Sequence, residues 1–485
     1  MSTLRSLLAV LCVVQLGHIG LRLAQGQEVA KRRAKPAAER DADTADNTKV
    51  AGDADIAAAV AAPDDDAIKA QFKAAKSSLQ TQLRKRDDAT RIAALEELKK
   101  YPTVEAAKLV LGALNQRQSA EVQEAAFATL LAYKDNEDVG KLLLTTLQKG
   151  GRRNATFDIT PFLMKVVLSS DNATVEKKTL AWLDAAANAG GGSLPIMELA
   201  DSLGETNQPD DLARVMKLTK LAAFGREFGV RRAISQAIMR ATCREGVAAA
   251  IQLIELERGE IAADLGQYLA DATGQKLGTD AKAWKDWWND NGKSYQFPVN
   301  FARTPRGAAA AGQQASSYYG LTISAQRVLF VLDTSGSMEG ARLEAAKREL
   351  SQAISALPEQ TSFSVVVFNS VLAVWQQQLV EANAAMKESA TRFVNAQPPR
   401  GGTGTLGALT AAFVFDVEAL YLLTDGMPND SKPIDILTRV AELNRGRRLS
   451  LYTIGVGVGP AGGPFDLFLS QLAKNNWGLY VRVDQ

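Results

Sequence analysis

Three short stretches of this chain concentrate side chains suited to chemistry. Asp333-Thr334-Ser335-Gly336-Ser337 sets one carboxylate and two hydroxyls at alternate positions. Gly401-Gly402-Thr403-Gly404-Thr405 carries hydroxyls on a glycine-rich loop, and Thr424-Asp425-Gly426 adds a second carboxylate. The Asp-x-Ser-x-Ser spacing lets three side chains of one tight loop turn toward a common point, while Gly336 and Gly402 relieve the backbone at close bends. Every donor is oxygen. Such hard ligands suit Mg²⁺, Mn²⁺ or Ca²⁺, and short-reaching hydroxyls favour the smaller ions, which keep some bound water. The competing reading is structural, with Ser and Asp merely capping helices.

The elements that must position these stretches read as strands and helices in alternation. Val328 to Leu332, Ser364 to Phe368, Leu420 to Leu423, Leu449 to Ile454 and Leu479 to Val481 are continuous apolar runs. Helical patterns at Arg342 to Leu357, Leu406 to Phe415 and Ile434 to Asn444 separate most of them. That grammar predicts an α/β doubly wound, mostly parallel sheet covered on both faces. Ligands of such sheets gather at the carboxyl ends of the strands, and the first and third stretches follow strands directly. All three would then open onto one edge.

Asp333-x-Ser335-x-Ser337, Gly401-Gly402-Thr403 followed by Ala408-Leu409, and Leu423-Thr424-Asp425-Gly426 together resemble a von Willebrand factor type A (VWA) domain with a metal-ion-dependent adhesion site. The resemblance covers residues 325–485 and rests on three linked motifs in the right order. It implies that Ser335, Ser337 and Thr403 coordinate the ion directly and that Asp333 and Asp425 act directly or through water. One coordination position would stay open for an Asp or Glu carboxylate of a partner protein. The family usually carries a further helix after the last strand, and here Asp484-Gln485 follow that strand at once. The expectation is therefore recognition without transmission through that helix.

The rest of the chain reads as a multidomain arrangement. Residues 1–26 have the pattern of a signal peptide: Arg5, an apolar stretch from Leu7 to Leu16, and Ala24-Gln25-Gly26 for cleavage. The alternative, an uncleaved anchor, is interrupted by Gln15, His18 and Arg22, whereas a bilayer crossing wants about 20 mostly apolar residues. Residues 27–66 alternate Ala with charge and read as a disordered linker. Residues 67–291 are helix after helix. Ile92 to Tyr101 resembles Glu124 to Tyr133, and Lys108 to Leu111 resembles Lys141 to Leu144, a period of about 32 to 33 residues. This stretch resembles a HEAT-type α-solenoid, with a non-repetitive bundle as the alternative. Trp284, Trp287 and Trp288 share one helix face and read as a hydrophobic cap rather than a ligand-stacking platform. Residues 292–324 read as a second linker, and 325–485 as the VWA domain.

Composition excludes whole classes of function. The chain has 56 basic and 54 acidic side chains, and two of the basic ones, Arg5 and Arg22, lie in the leader, so the remainder balances. No general attraction to nucleic acid or to an anionic membrane follows. The one histidine, His18, is also in the leader, which rules out an imidazole-based triad or zinc site in the mature chain. Cys12 lies in the leader as well, leaving Cys243 alone, without a disulfide partner and read as a buried small hydrophobe on a helix. Two G-x-G-x-x-G matches, Gly402-Gly404-Gly407 and Gly457-Gly459-Gly462, lack the strand-to-helix setting or the following chain of a dinucleotide site. Asn154-Ala155-Thr156 and Asn172-Ala173-Thr174 are glycosylation sequons in form.

The expected function is an exported, non-enzymatic adhesion or assembly protein. A divalent cation, Mg²⁺ first, would grip an acidic residue of a protein partner, and the helical region would supply a second surface. One alternative is a metal-dependent hydrolase, for which Glu339 and Asp430 are the nearby candidate bases. The other is a structural scaffold with a vestigial site.

Overall fold

The computed structural model describes residues 65–114, 118–149, 160–188, 192–304 and 316–484. The leader, most of the Ala/charged linker and the Asn154 sequon lie outside them. Among the described residues no helix is long and apolar enough to cross a membrane. The described residues form two compact units, divided between Thr179 and Leu180.

The first unit is all helical: α1 (Asp65–Leu83), α2 (Asp88–Leu98), α3 (Val104–Leu114), α4 (Ala120–Ala132), α5 (Glu137–Gln148), α6 (Thr160–Ser169) and the start of α7 (Ala173–Ala186). Caps legible in the sequence start several of them. The Asp87 carboxylate accepts from Thr90 N, the Ser119 hydroxyl from Val122 N, and the Asn136 amide oxygen from Val139 N. Helices α2, α4 and α6 stack in one layer and α1, α3 and α5 in a second. Polar bonds repeat between successive members: Thr129 Oγ1 donates to Leu95 O at 3.0 Å, and Asn136 Nδ2 to Pro102 O at 2.7 Å. Gly140 lets α5 approach α7, where an added Cβ would fall 2.4 Å from a Val175 methyl. Asn172, half-buried, caps α7 by accepting from Thr174 N and Val175 N.

The second unit joins a helical segment to the sheet. Its helices are α8 (Leu194–Gly204), α9 (Pro209–Lys217), α10 (Ala222–Arg226), α11 (Phe228–Met239), α12 (Arg244–Ile254), α13 (Gly259–Thr273) and α14 (Ala281–Asn291). Trp284 is fully buried and its indole donates to Gly278 O, while Trp287 and Trp288 pack on Tyr295, so the cluster closes the helical segment. Cys243 departs from expectation. It lies just before α12 in extended backbone, half-buried, because the helix begins only at Arg244.

The α/β part begins earlier than expected. Residues placed in the second linker form a small antiparallel hairpin, β1 (Ser317–Tyr318) and β2 (Leu321–Thr322). Tyr318 is buried, edge-on to Phe330, so the aromatic side chains of Tyr318 and Tyr319 anchor this segment to the core. Then follow β3 (Arg327–Asp333), α15 (Ala341–Ala356), β4 (Ser362–Phe368), β5 (Leu372–Val374), β6 (Val380–Glu381), α16 (Ala384–Asn395), α17 (Thr405–Ala412), β7 (Ala419–Thr424), α18 (Pro433–Asn444), β8 (Ser450–Val456), α19 (Pro464–Lys474) and β9 (Tyr480–Val483). The sheet runs β5-β4-β3-β7-β8-β9, with β6 also on β4. Strands β4, β3, β7, β8 and β9 are mutually parallel, and β5 and β6 pair antiparallel with β4.

Alternation along the strands fills two cores. Phe330, Tyr421 and Tyr452 face α15 and α16, while Leu329, Leu422 and Leu451 face α17, α18 and α19. The expected α/β doubly wound, mostly parallel sheet after a helical region is the observed architecture. The order of connections reverses between β3 and β7, so their carboxyl ends flank a switch point where loops diverge to opposite sides. At the opposite end, α8, α11 and α13 meet the amino ends of the strands through buried charge. Arg232 Nη1 donates to Ser450 Oγ at 2.8 Å, and Tyr452 OH donates to Glu260 Oε2 at 3.0 Å. Arg448 pairs with Asp201 and donates to Gln236 Oε1 at 2.9 Å.

Candidate metal centre

All five oxygen-bearing residues singled out in the sequence come together beside the switch point. Asp333 ends β3, and the chain leaves it through extended Ser335 into a 3₁₀ turn at Gly336–Met338. Ser335 Oγ and Ser337 Oγ lie 3.1 Å apart, and Ser337 Oγ donates to Asp425 Oδ1 at 2.7 Å. Gly426, following Asp425, sits where a Cβ would fall 3.2 Å from Thr403 Oγ1 and 3.5 Å from Ser337 Oγ. Asp333, Ser335, Thr403 and Asp425 are buried. Gly336 N donates to Gly401 O at 3.0 Å and Arg400 N to Thr334 O at 2.9 Å, so the first two loops are held together through backbone.

Asp333 is fully buried, and burial pushes its carboxyl up to about 6 against the opposing pull of hydrogen bonds from Thr424 and Ser335. The Asp425 charge adds to the upward shift, as expected of two carboxylates facing one space. Thr424 Oγ1 donates to Asp333 Oδ2 at 2.6 Å and Ser335 N to Oδ1 at 2.7 Å, which fixes the carboxylate. Among the described residues no group of three or more His, Cys, Asp or Glu side chains is placed to hold a metal ion. A cation here would therefore be held by two carboxylates with hydroxyls completing the set. That donor chemistry fits a hard divalent ion, and the convergence of Ser335, Ser337 and Asp425 fits a short-reach site.

Several residues that support this arrangement escaped the motifs. Asn429 clamps the glycine-rich loop: its Oδ1 accepts from Thr403 N at 2.6 Å, and its own N donates to Thr403 O at 2.9 Å. Ser370 Oγ accepts from Gly402 N at 2.7 Å, and Asn369 Nδ2 donates to Thr334 Oγ1 at 3.1 Å. Arg342 Nη1 donates to Asp425 Oδ2 at 3.0 Å. Asn429 lies four residues beyond Asp425, the only sequence hint for any of them.

One of the two candidate bases and both glycine motifs are otherwise engaged. Asp430 Oδ2 accepts from Gly407 N at 2.9 Å, at the start of α17. Glu339 is exposed on the loop leading to α15. The second glycine motif does join β8 to α19, yet Asp466 Oδ2 accepts from Gly462 N at 2.8 Å there. Each helix start that a phosphate would need thus already carries a carboxylate.

Residues 326–481 match the family model described as von Willebrand factor type A domain. Human inter-alpha-trypsin inhibitor heavy chain H4 is 30% identical over 184 residues, covering 34% of this chain and 19% of that protein. Human von Willebrand factor A domain-containing protein 3A is 35% identical over 165 residues, covering 33% of this chain and 13% of that protein. The chain thus spans a fifth or less of these relatives. Among solved structures, a von Willebrand factor type A protein from Catenulispora acidiphila aligns at 23% identity and TM-score 0.30, covering 34% of this chain and 40% of that one. BatB from Bacteroides thetaiotaomicron aligns at 22% identity and TM-score 0.27, covering 33% and 90% respectively.

Proposed function

We propose that this chain is an exported, non-enzymatic protein-binding protein of adhesion or assembly type, whose VWA-like domain grips an acidic side chain of a partner through a divalent cation. Mg²⁺ is the first candidate, with Mn²⁺ or Ca²⁺ as substitutes. Ser335, Ser337 and Thr403 would hold the ion directly, and Asp333 and Asp425 directly or through water. The helical region would offer a second interaction surface, and the leader pattern supports export.

The observation that carries this reading is the gathering of five oxygen donors, from loops separated by up to about ninety residues, at the carboxyl rim of β3 and β7. The cation supplies positive charge that neutral hydroxyls leave largely unquenched. The chain's own residues orient it: Thr424 and Ser335 N lock Asp333, and Asn429 holds Thr403 in place. A hydrolytic reading needs a base held beside the ion; Asp430 is bound to a helix start, Glu339 is exposed to solvent on the loop before α15, and the mature chain carries no imidazole.

Calorimetric titration of Mg²⁺ and Mn²⁺ into the full chain and into Asp333→Ala tests the reading. Saturable binding with a raised unfolding temperature in the parent, absent from the variant, is the expected result. No heat and no thermal shift in the parent would leave a scaffold without a working site.

A further inference from the structure

Arg342 is placed where no hydrophobic or helix-forming requirement explains it. It is the second residue of α15, entered through Gly340 at φ +85. Its Nη1 donates to Asp425 Oδ2 at 3.0 Å and to Ser337 O at 3.4 Å, reaching one carboxylate and one loop of the candidate centre. The Asp425 side chain is 0% exposed, whereas that of Arg342 is 39% exposed, so the guanidinium connects the buried ligand set to solvent. Among the described residues Nε and Nη2 have no hydrogen-bonding partner. On the far side stands Gly457 at φ +61, where a Cβ would fall 3.1 Å from the guanidinium Cζ, Nε and Nη2. The Gly457 backbone therefore packs against the guanidinium, and a side chain there would press on it.

Charge decides what this does. Two carboxylates cancel a divalent cation, so an incoming carboxylate would meet a formally neutral site. Arg342 restores one positive charge beside Asp425 and retains planar N–H donors matched to carboxylate geometry. We propose that Arg342 is the second anchor for the partner's acidic side chain, reading the carboxylate alongside the cation while weakening cation binding by like-charge repulsion. This deepens the function proposed above and rests on it.

The two effects have opposite signs, which separates them from a merely structural ion pair. Mn²⁺ affinity is measured by calorimetry on the full chain, the parent against Arg342→Gln and Arg342→Lys. Acetate is then titrated into each Mn²⁺-loaded protein, with water-proton relaxation reporting displacement of water from the ion. Arg342→Gln is expected to bind Mn²⁺ about fivefold tighter and acetate about fivefold weaker, the scale of a half-exposed charge pair. Arg342→Lys should restore the Mn²⁺ affinity but only part of the acetate affinity, lacking the planar fork. Equal loss of both affinities in Arg342→Gln, or no change in either, overturns the role of Arg342 while leaving the cation site standing. A parent that takes up no Mn²⁺ removes both.

Discussion

Glu257 offers the sharpest test of the way the helical segment is joined to the sheet. It lies just before α13, 2% exposed, with Arg231 Nε 3.5 Å from its Oε2 and no hydrogen-bonding partner for its Oε1. Burial pushes its carboxyl up to about 7; Glu418 adds to the rise, and Arg231, Arg232 and Arg258 oppose it. A folded-state value above the ordinary glutamate value of 4.5 means that the folded protein holds this proton more tightly than the unfolded chain. The associated stability is present in full below the ordinary value and is lost as pH rises through about 7. The interval corresponds to a ceiling of about 3 kcal/mol. Glu257→Gln removes the titration but keeps the shape. Urea unfolding of the full chain at pH 5 and pH 8, followed by tryptophan fluorescence, should show the variant gaining stability relative to the parent between the two values, by about 2 kcal/mol. The slope from Asp333, also raised by burial, is common to both proteins and cancels, whereas the slope from Glu418, whose charge faces Glu257, shrinks in the variant along with that of Glu257. A variant with the parent's full pH slope would refute the assignment of this proton to Glu257.

Other outcomes follow from local geometry. Gly478→Ala should destabilise the fold by about 3 kcal/mol or prevent folding, because the added Cβ would fall 1.9 Å from Leu451 O with no flexible atom to yield; thermal denaturation reads this. Asn429→Ala should leave the melting temperature within a few degrees while lowering Mg²⁺ affinity about tenfold, since it frees Thr403 N and the loop that presents Thr403; calorimetry distinguishes the two. Cys243 should react with a thiol reagent more slowly at pH 7.5 than a free cysteine, because burial raises its thiol above the usual value; the time course of a colorimetric thiol assay checks it.

Much of this molecule was legible along the chain. Apolar runs announced the five parallel strands, since strands buried on both faces need continuous apolar sequence. The Asp-x-Ser-x-Ser, Gly-Gly-Thr and Thr-Asp-Gly stretches announced the five oxygen-bearing residues that gather beside the switch point, because each motif is compact. Helices α16 and α19 and the short edge strands β5 and β6 were not announced, the strands being too short and mixed in composition to show a pattern. The hairpin at Ser317–Thr322 passed for linker because its burial depends on Phe330 and Tyr421, which lie well downstream.

What the sequence by itself determined is therefore whatever rests on local periodicity or on a short run of chemically apt residues: the fold class, the five parallel strands and the oxygen-bearing residues at their rim. Only the tertiary structure decided which distant groups face one another. Arg342 meets Asp425 across 83 positions, Ser450 meets Glu260 across 190 and Arg232 across 218, and none of these residues carries a mark that names its partner. The physical reason is that hydrogen bonds and buried charges depend on distance in space, and that distance exists only once the apolar faces of the strands and helices have packed.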